Sequence, residues 1–231
     1  MNRQLSHHYT IVWILFILLS YSLTAQRTDR VSKYAIGVKM NFGHVFPNFD
    51  RPQDQWKAVF YPTGSMDIAF DYRLSQKWIF NAGVGATSYA LINRGPQDTY
   101  ILDFMSPHFS LSLSYNYQYT GHQEYFFRLI AGAQMGYRGS FLEEFDTYSV
   151  QVESQHPFYH FIRPELGTRR FSKKKTMGSR YRTAFEFGTY LRYHLNSLGV
   201  ATFSSTNFEV KLMPTGTHLG IYFRVLFPVG R

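Results

Sequence analysis

Phe109-Ser110-Leu111-Ser112-Leu113-Ser114-Tyr115-Asn116-Tyr117-Gln118 alternates without a break between a large apolar or aromatic side chain and a small polar one. A helix would scatter these side chains around its circumference. A strand sends successive residues to opposite faces, so the stretch predicts a β-strand with one greasy face and one polar face. The same period of two recurs on both sides of it. Upstream it runs through residues 34–43, 65–74 and 78–87; downstream it runs through 125–138, 162–169, 181–194 and 219–227. Eight strands are therefore expected. The sixth carries Pro164, which has no N–H to donate to a ladder, so a bulge or an early strand end is expected there. Residues 207–213 also alternate, which leaves a longer final hairpin, or ten strands, open.

The connections alternate in length. Short turns are expected at 75–77, 120–123 and 173–179, and long loops at 44–62, 91–100, 139–157 and 195–217. Short turns at one end and long loops at the other are the pattern of an outer-membrane barrel, with both chain ends on the periplasmic side. The expected fold is all-β: a transmembrane, antiparallel, up-and-down barrel of eight strands. The apolar faces are too bulky to fit inside so small a barrel, whose interior is just wide enough to be filled by side chains. They are therefore placed against lipid. Aromatics at strand ends fit two interfacial girdles: Trp78, Tyr115, Tyr117, Tyr119, Tyr125, Tyr181 and Phe227 near the short turns, and Phe46, Tyr61, Tyr89, Tyr100, Tyr137 and Tyr193 near the long loops.

Composition agrees. Aromatic residues make up 19 % of the 231 residues and charged residues only 17 %, yet the mean hydropathy is −0.25, so polar and aromatic residues interleave at short range. With no cysteine, disulfides, thiolate metal sites and cysteine nucleophiles are excluded. The net charge of +9 is spread along the chain and does not form a nucleic-acid-binding patch. Residues 1–25 read as a cleaved signal peptide. Arg3 precedes the apolar run Ile11 to Leu19, which falls short of the ~20 residues that span a bilayer. Residues 26–231 are then the barrel domain of a protein exported to the bacterial outer membrane.

Charges on the polar faces are expected to meet in the lumen as a carboxylate–cation network. Its members are Asp67, Asp71, Arg73, Arg128, Glu165, Arg182, Glu186, Arg192 and Arg224, with Lys39 and Arg163 beside them. Charges enclosed in so poorly hydrated a space must pair. The plainer reading of the network is a rigid plug; the sharper one is a path for protons or small ions. Arg169, Arg170, Lys173, Lys174 and Lys175 surround a periplasmic turn. They read either as a solvated rim or as a docking point for an acidic periplasmic partner. No catalytic, cofactor or metal site is expected. His156 and His160 are four residues apart, which on a strand means about 13 Å, too far for one ion. The acidic loop with Glu143, Glu144, Asp146 and Glu153 lacks the spacing of a calcium loop. Ser88 and His108 are one imaginable pair for a lipid enzyme, without a motif to support them.

Glycine-studded strands such as Asn81-Ala82-Gly83-Val84-Gly85 and Ala131-Gly132-Ala133-Gln134-Met135-Gly136, together with the closing Gly220-Ile221-Tyr222-Phe223-Arg224, resemble the small outer-membrane β-barrel domain family of PorT-like and OmpX-like barrels. The chain departs from many barrels in that Pro228-Val229-Gly230-Arg231 follows the last aromatic residue. The resemblance implies a non-enzymatic accessory barrel, in the PorT-like members one that assists a secretion system. Its partners would be outer-membrane lipid and a periplasmic or outer-membrane protein. A narrow pore or ligand-binding barrel, and an outer-leaflet lipid-modifying enzyme, are the alternatives.

Overall fold

Alternation on this scale makes every element a strand, and the computed structural model is all-β. It describes residues 32–45, 57–59, 62–94, 99–120, 123–136, 140–144, 149–153, 156–172, 182–196, 200–206, 208–212 and 216–229. The signal segment 1–25 and the turn 173–179 lie outside the described residues. Thirteen strands follow in order: β1 (Tyr34–Val45), β2 (Lys57–Val59), β3 (Pro62–Arg73), β4 (Trp78–Arg94), β5 (Thr99–Thr120), β6 (Gln123–Met135), β7 (Ser140–Glu144), β8 (Ser149–Glu153), β9 (Phe158–Phe171), β10 (Ala184–His194), β11 (Val200–Ser205), β12 (Phe208–Leu212) and β13 (His218–Val229).

Eight of them, β1, β3, β4, β5, β6, β9, β10 and β13, pair antiparallel around a closed barrel, each with its neighbours in the chain's up-and-down order. Closure is made by β1 against β13, with Tyr34 opposite Val229 and Val45 opposite His218. The long loops contain further strands. β2 extends the sheet against the far end of β4. β4 and β5 continue as one hairpin up to Arg94 opposite Thr99, so the loop expected at 91–100 is largely ladder. β7–β8 and β11–β12 are two hairpins joined through β8 and β11 into a separate four-stranded sheet. The alternation at 207–213 thus belongs to this second sheet, and the barrel stays at eight strands.

Orientation follows from exposure. Ile68 (51 %), Val84 (62 %), Leu111 (54 %) and Ile221 (61 %) face outward, while Lys39 (3 %), Arg128 (1 %), Glu186 (0 %) and Arg224 (1 %) are enclosed. This inverts the arrangement of a soluble protein. Aromatic rings meet on the outer surface near the short turns, as in Trp78 against Tyr115 (4.9 Å between centroids) and Tyr34 against Tyr72 (5.4 Å). Tyr89 departs from the outer girdle expected of it. It has the parity of the inward Thr87 and is fully enclosed. Phe46, Tyr61, Tyr137 and Tyr181 lie outside the described residues.

The bulge is not at Pro164. On the β6 side Pro164 keeps its place opposite Leu129. On the β10 side two rungs are missing, between Glu165–Tyr190 and Ile162–Tyr193, without a shift of register. The register shift lies instead in β5–β6, between Asn116 and Gln118, beside the short turn. The extra residue there is Tyr117, so Gln118 is exposed rather than inward.

Candidate functional site

Inward parity brings the charged residues of six strands, with His108 of a seventh, together in the lumen. Near the short-turn end, Glu124 accepts from Arg73 Nη2 at 3.0 Å and from Arg169 Nη1 at 2.6 Å. Arg169 also binds Glu186 through Nε at 2.8 Å, and Glu186 receives Arg128 Nη2 at 2.9 Å. Arg224 clamps Asp71 with Nη2 at 2.5 Å and Nη1 at 3.1 Å, while Asn81 donates to the same carboxylate at 3.0 Å. Further in, Glu165 is held by Lys39, by Arg128 Nη1 at 3.1 Å, and by Arg163, whose Nε lies 3.0 Å away. Asp67 accepts from Asn41 at 2.8 Å, lies 2.6 Å from His108 Nε2, and has Arg163 Nη2 at 3.4 Å.

Of the residues singled out in the sequence, Asp67, Asp71, Arg73, Arg128, Glu165, Glu186 and Arg224 thus stand in ion pairs with one another, with Lys39, or with residues not singled out as lumen members. Arg182 is half-buried at the short-turn mouth, just before β10. Arg192 meets no carboxylate among the described residues. It donates to Thr87 Oγ1 at 2.7 Å and Gln134 Oε1 at 2.8 Å, and lies over the Phe161 ring at 3.7 Å. Arg169 was read as part of the rim but is 2 % exposed and inside. Arg170 is exposed, and Lys173, Lys174 and Lys175 lie outside the described residues. Glu124 was missed because its strand was begun one residue too late; it shares the parity of Arg128.

The lumen also holds rings. Phe126 lies under Arg128 (4.7 Å) and Arg169 (5.3 Å), and Tyr222 under Lys39 (4.2 Å). Each cation thus gains a π-face as well as a carboxylate. Room is made by glycine. A Cβ on Gly37 would stand 2.3 Å from Arg224 Nε, and one on Gly188 would stand 2.9 Å from the Tyr222 hydroxyl and 2.1 Å from the Leu166 carbonyl.

At the long-loop end His194, His218 and Tyr89 form a buried ring cluster. His194 and His218 are 6.4 Å apart, and Tyr89 donates to Gln134 at 2.9 Å. Asp67, His108 and Thr87 stand in line, with His108 Nδ1 3.3 Å from Thr87 Oγ1. The line has the order of an acid–base–hydroxyl relay, but Thr87 (0 % exposed) and His108 (4 %) are enclosed and the hydroxyl already accepts from Arg192. It acts as a strut. Ser88 faces outward while His108 faces inward, so the two do not form a pair. His156 and His160 are both exposed, and among the described residues no group of three or more metal-ligating side chains is assembled. In the acidic loop, Glu153 accepts from Gln151 at 2.7 Å; Asp146 lies outside the described residues.

At the short-turn mouth the described residues Lys33, Asp71, Arg73, Arg182, Phe171 and Leu226 line a small open pocket of about 40 Å³. Lys33 sits on its lip with its ammonium over the rings of Tyr72 (5.1 Å) and Tyr34 (6.0 Å). A hydrogen bond with Tyr72 holds that ammonium above its ordinary pKa.

The protein is therefore an eight-stranded antiparallel barrel of the outer-membrane type, with a paired ionic core. The crystal structure of the outer membrane protein OprG from Pseudomonas aeruginosa is similar to it, with a TM-score of 0.53 and 13 % identity. The likeness covers 88 % of this chain and 100 % of OprG, and at that identity it speaks for the fold alone. No protein-family model matches the chain, and no curated protein matches it.

Proposed function

We propose that this protein is an integral outer-membrane barrel with its short turns in the periplasm, acting as a non-enzymatic accessory component through its loops and its periplasmic mouth. The observation that carries the reading is the inverted burial. An outward row such as Ile36, Met40 and Phe42 is about half exposed while Lys39 and Asn41 between them are enclosed. Water would penalise that exterior, and lipid favours it. The ionic core supports a plug over a pore. Five carboxylates among the described residues tie together cations of neighbouring strands, as in Arg128–Glu165, and of distant ones, as in Arg163–Asp67, and loosening any of them leaves an uncompensated charge. A PorT-like or OmpX-like role, including a link to secretion, is the finer form of the same proposal and rests on the resemblance of the glycine-studded strands.

The test is fractionation of expressing cells, followed by electrophoresis of the membrane fraction with and without boiling. The expected result is recovery with outer membranes and a faster-migrating unboiled band. Recovery in the soluble periplasm would end this reading.

A further inference from the structure

We infer that Arg192 is the centre of a binding site for one monovalent inorganic anion of chloride size, enclosed in the long-loop half of the lumen. Two separate observations meet there, an uncompensated charge and a set of donors with no acceptor. The charge is the simpler of the two. Among the described residues, the enclosed cations Lys39, Arg128, Arg163, Arg169 and Arg224 each stand against a carboxylate. Arg192 is enclosed as completely and stands against none. Asp67, the carboxylate on this side of the lumen, is already taken by Asn41, His108 and Arg163. A guanidinium cannot shed its charge. Neutral dipoles and the Phe161 ring beneath it offset only part of what enclosing that charge costs.

The donors lie around the same guanidinium. Arg192 gives Nη1 to Thr87 and Nη2 to Gln134, and its enclosed Nε–H meets no acceptor. Gln134 turns its carbonyl oxygen toward Arg192, Tyr89 and His194, which leaves its amide Nε2, also enclosed, with nothing to donate to. Tyr190, two positions before Arg192 on the same face of β10, has an enclosed hydroxyl in the same condition. Donors are in excess, so the complement to this cluster is an acceptor, and the uncompensated charge makes that acceptor an anion. Water would serve the N–H groups and leave the charge as costly as before. The walls set the size. Thr87, Gln134 and Arg192 are each 0 % exposed, and Phe161 lies 3.7 Å from the guanidinium, a setting that admits a monatomic ion at most. A halide also accepts from any direction, so one ion can take N–H groups of a guanidinium and an amide together. Sulfate or phosphate would bring further oxygens that need donors of their own.

The test uses the full barrel folded in lipid vesicles and unfolded with urea. Sodium chloride, bromide and gluconate are compared at one ionic strength, so that screening is constant. A ligand of the folded state alone shifts the folding equilibrium by mass action. At the midpoint in gluconate, the unfolded-to-folded ratio should fall at least tenfold, and saturably, as chloride or bromide replaces gluconate. Arg192→Leu should abolish that dependence. Gln134→Met, which keeps the cation, should weaken it several-fold, and Arg170→Gln, on the outer surface, should leave it unchanged. The unboiled gel band of each variant verifies that it is folded. Bromide-soaked crystals of the unaltered barrel should show one anomalous peak in contact with Arg192 Nε and Gln134 Nε2. Equal stability in the three salts, a halide effect that Arg192→Leu retains, or water in place of bromide at that position would each overturn the inference. None of these readouts depends on which cell fraction holds the protein, so this proposal and the preceding one are judged apart.

Discussion

Arg224 and Arg192 are both fully enclosed arginines, yet they differ in what they leave behind when removed. Among the described residues Arg224 is the cation paired with Asp71, whereas Arg192 binds neutral partners, Thr87 and Gln134. Arg224→Leu strands a buried carboxylate and should cost about 3–5 kcal/mol. Arg192→Leu loses hydrogen bonds between a charge and neutral groups, worth about 1.5–3 kcal/mol, and also removes the desolvation cost of the charge, so its net loss should be smaller. Urea unfolding in lipid vesicles measures both, and equal losses would mean that the pairing is not what matters. Which residues face inward was legible from strand parity alone. Which cation meets which carboxylate was not, because that depends on the register between strands far apart in sequence. Two single residues went astray for simpler reasons. Arg169 shares the parity of Arg163 and Glu165 but was grouped with the basic run that follows it, and the parity of Tyr89 was masked by the general association of tyrosine with membrane interfaces.

Strand lengths teach a different lesson. Alternation located all eight barrel strands but ended β4 near residue 87 and began β5 near residue 109, whereas the ladder continues to Arg94 and Thr99. The pattern read in the sequence marks the apolar belt, not the hydrogen-bonded strand. Beyond that point the ladder is carried by main-chain pairing, which does not itself demand that greasy and polar residues take turns. Thr99-Tyr100-Ile101-Leu102-Asp103-Phe104 is strand without that signature. Of the second sheet, β7–β8–β11–β12, the sequence marked only β12, through the alternation at 207–213. Pro164 misled in the other direction: its missing N–H removes rungs toward β10 but does not require an extra residue. Within the belt, an outward position near mid-strand offers a direct check. Ile68 lies opposite Val38 and Val84. Ile68→Arg should lower stability by about 2–4 kcal/mol if that surface meets lipid, as measured by unfolding from vesicles. A neutral or stabilising effect would mean that it meets water.

Taken together, the barrel has its cohesion inside and its solubility problem outside. Among the described residues five enclosed carboxylates are paired with arginines, a lysine and a histidine of neighbouring and distant strands, so a hydrated passage would require several pairs to part together. Reconstitution into planar bilayers should therefore give no steady open-state current at moderate voltage. Sustained unitary currents would show that the plug yields. The seam between first and last strands has a consequence for assembly. Ser32 and Val229 are hydrogen-bonded although 197 positions separate them, so β1 has no final neighbour until β13 has been delivered. Until then the growing sheet has two open margins, and Lys39, whose counter-charge Glu165 comes from the opposite wall, waits unneutralised. Nascent chains in this interval need shelter from one another, since bare strand margins pair readily with the wrong partner.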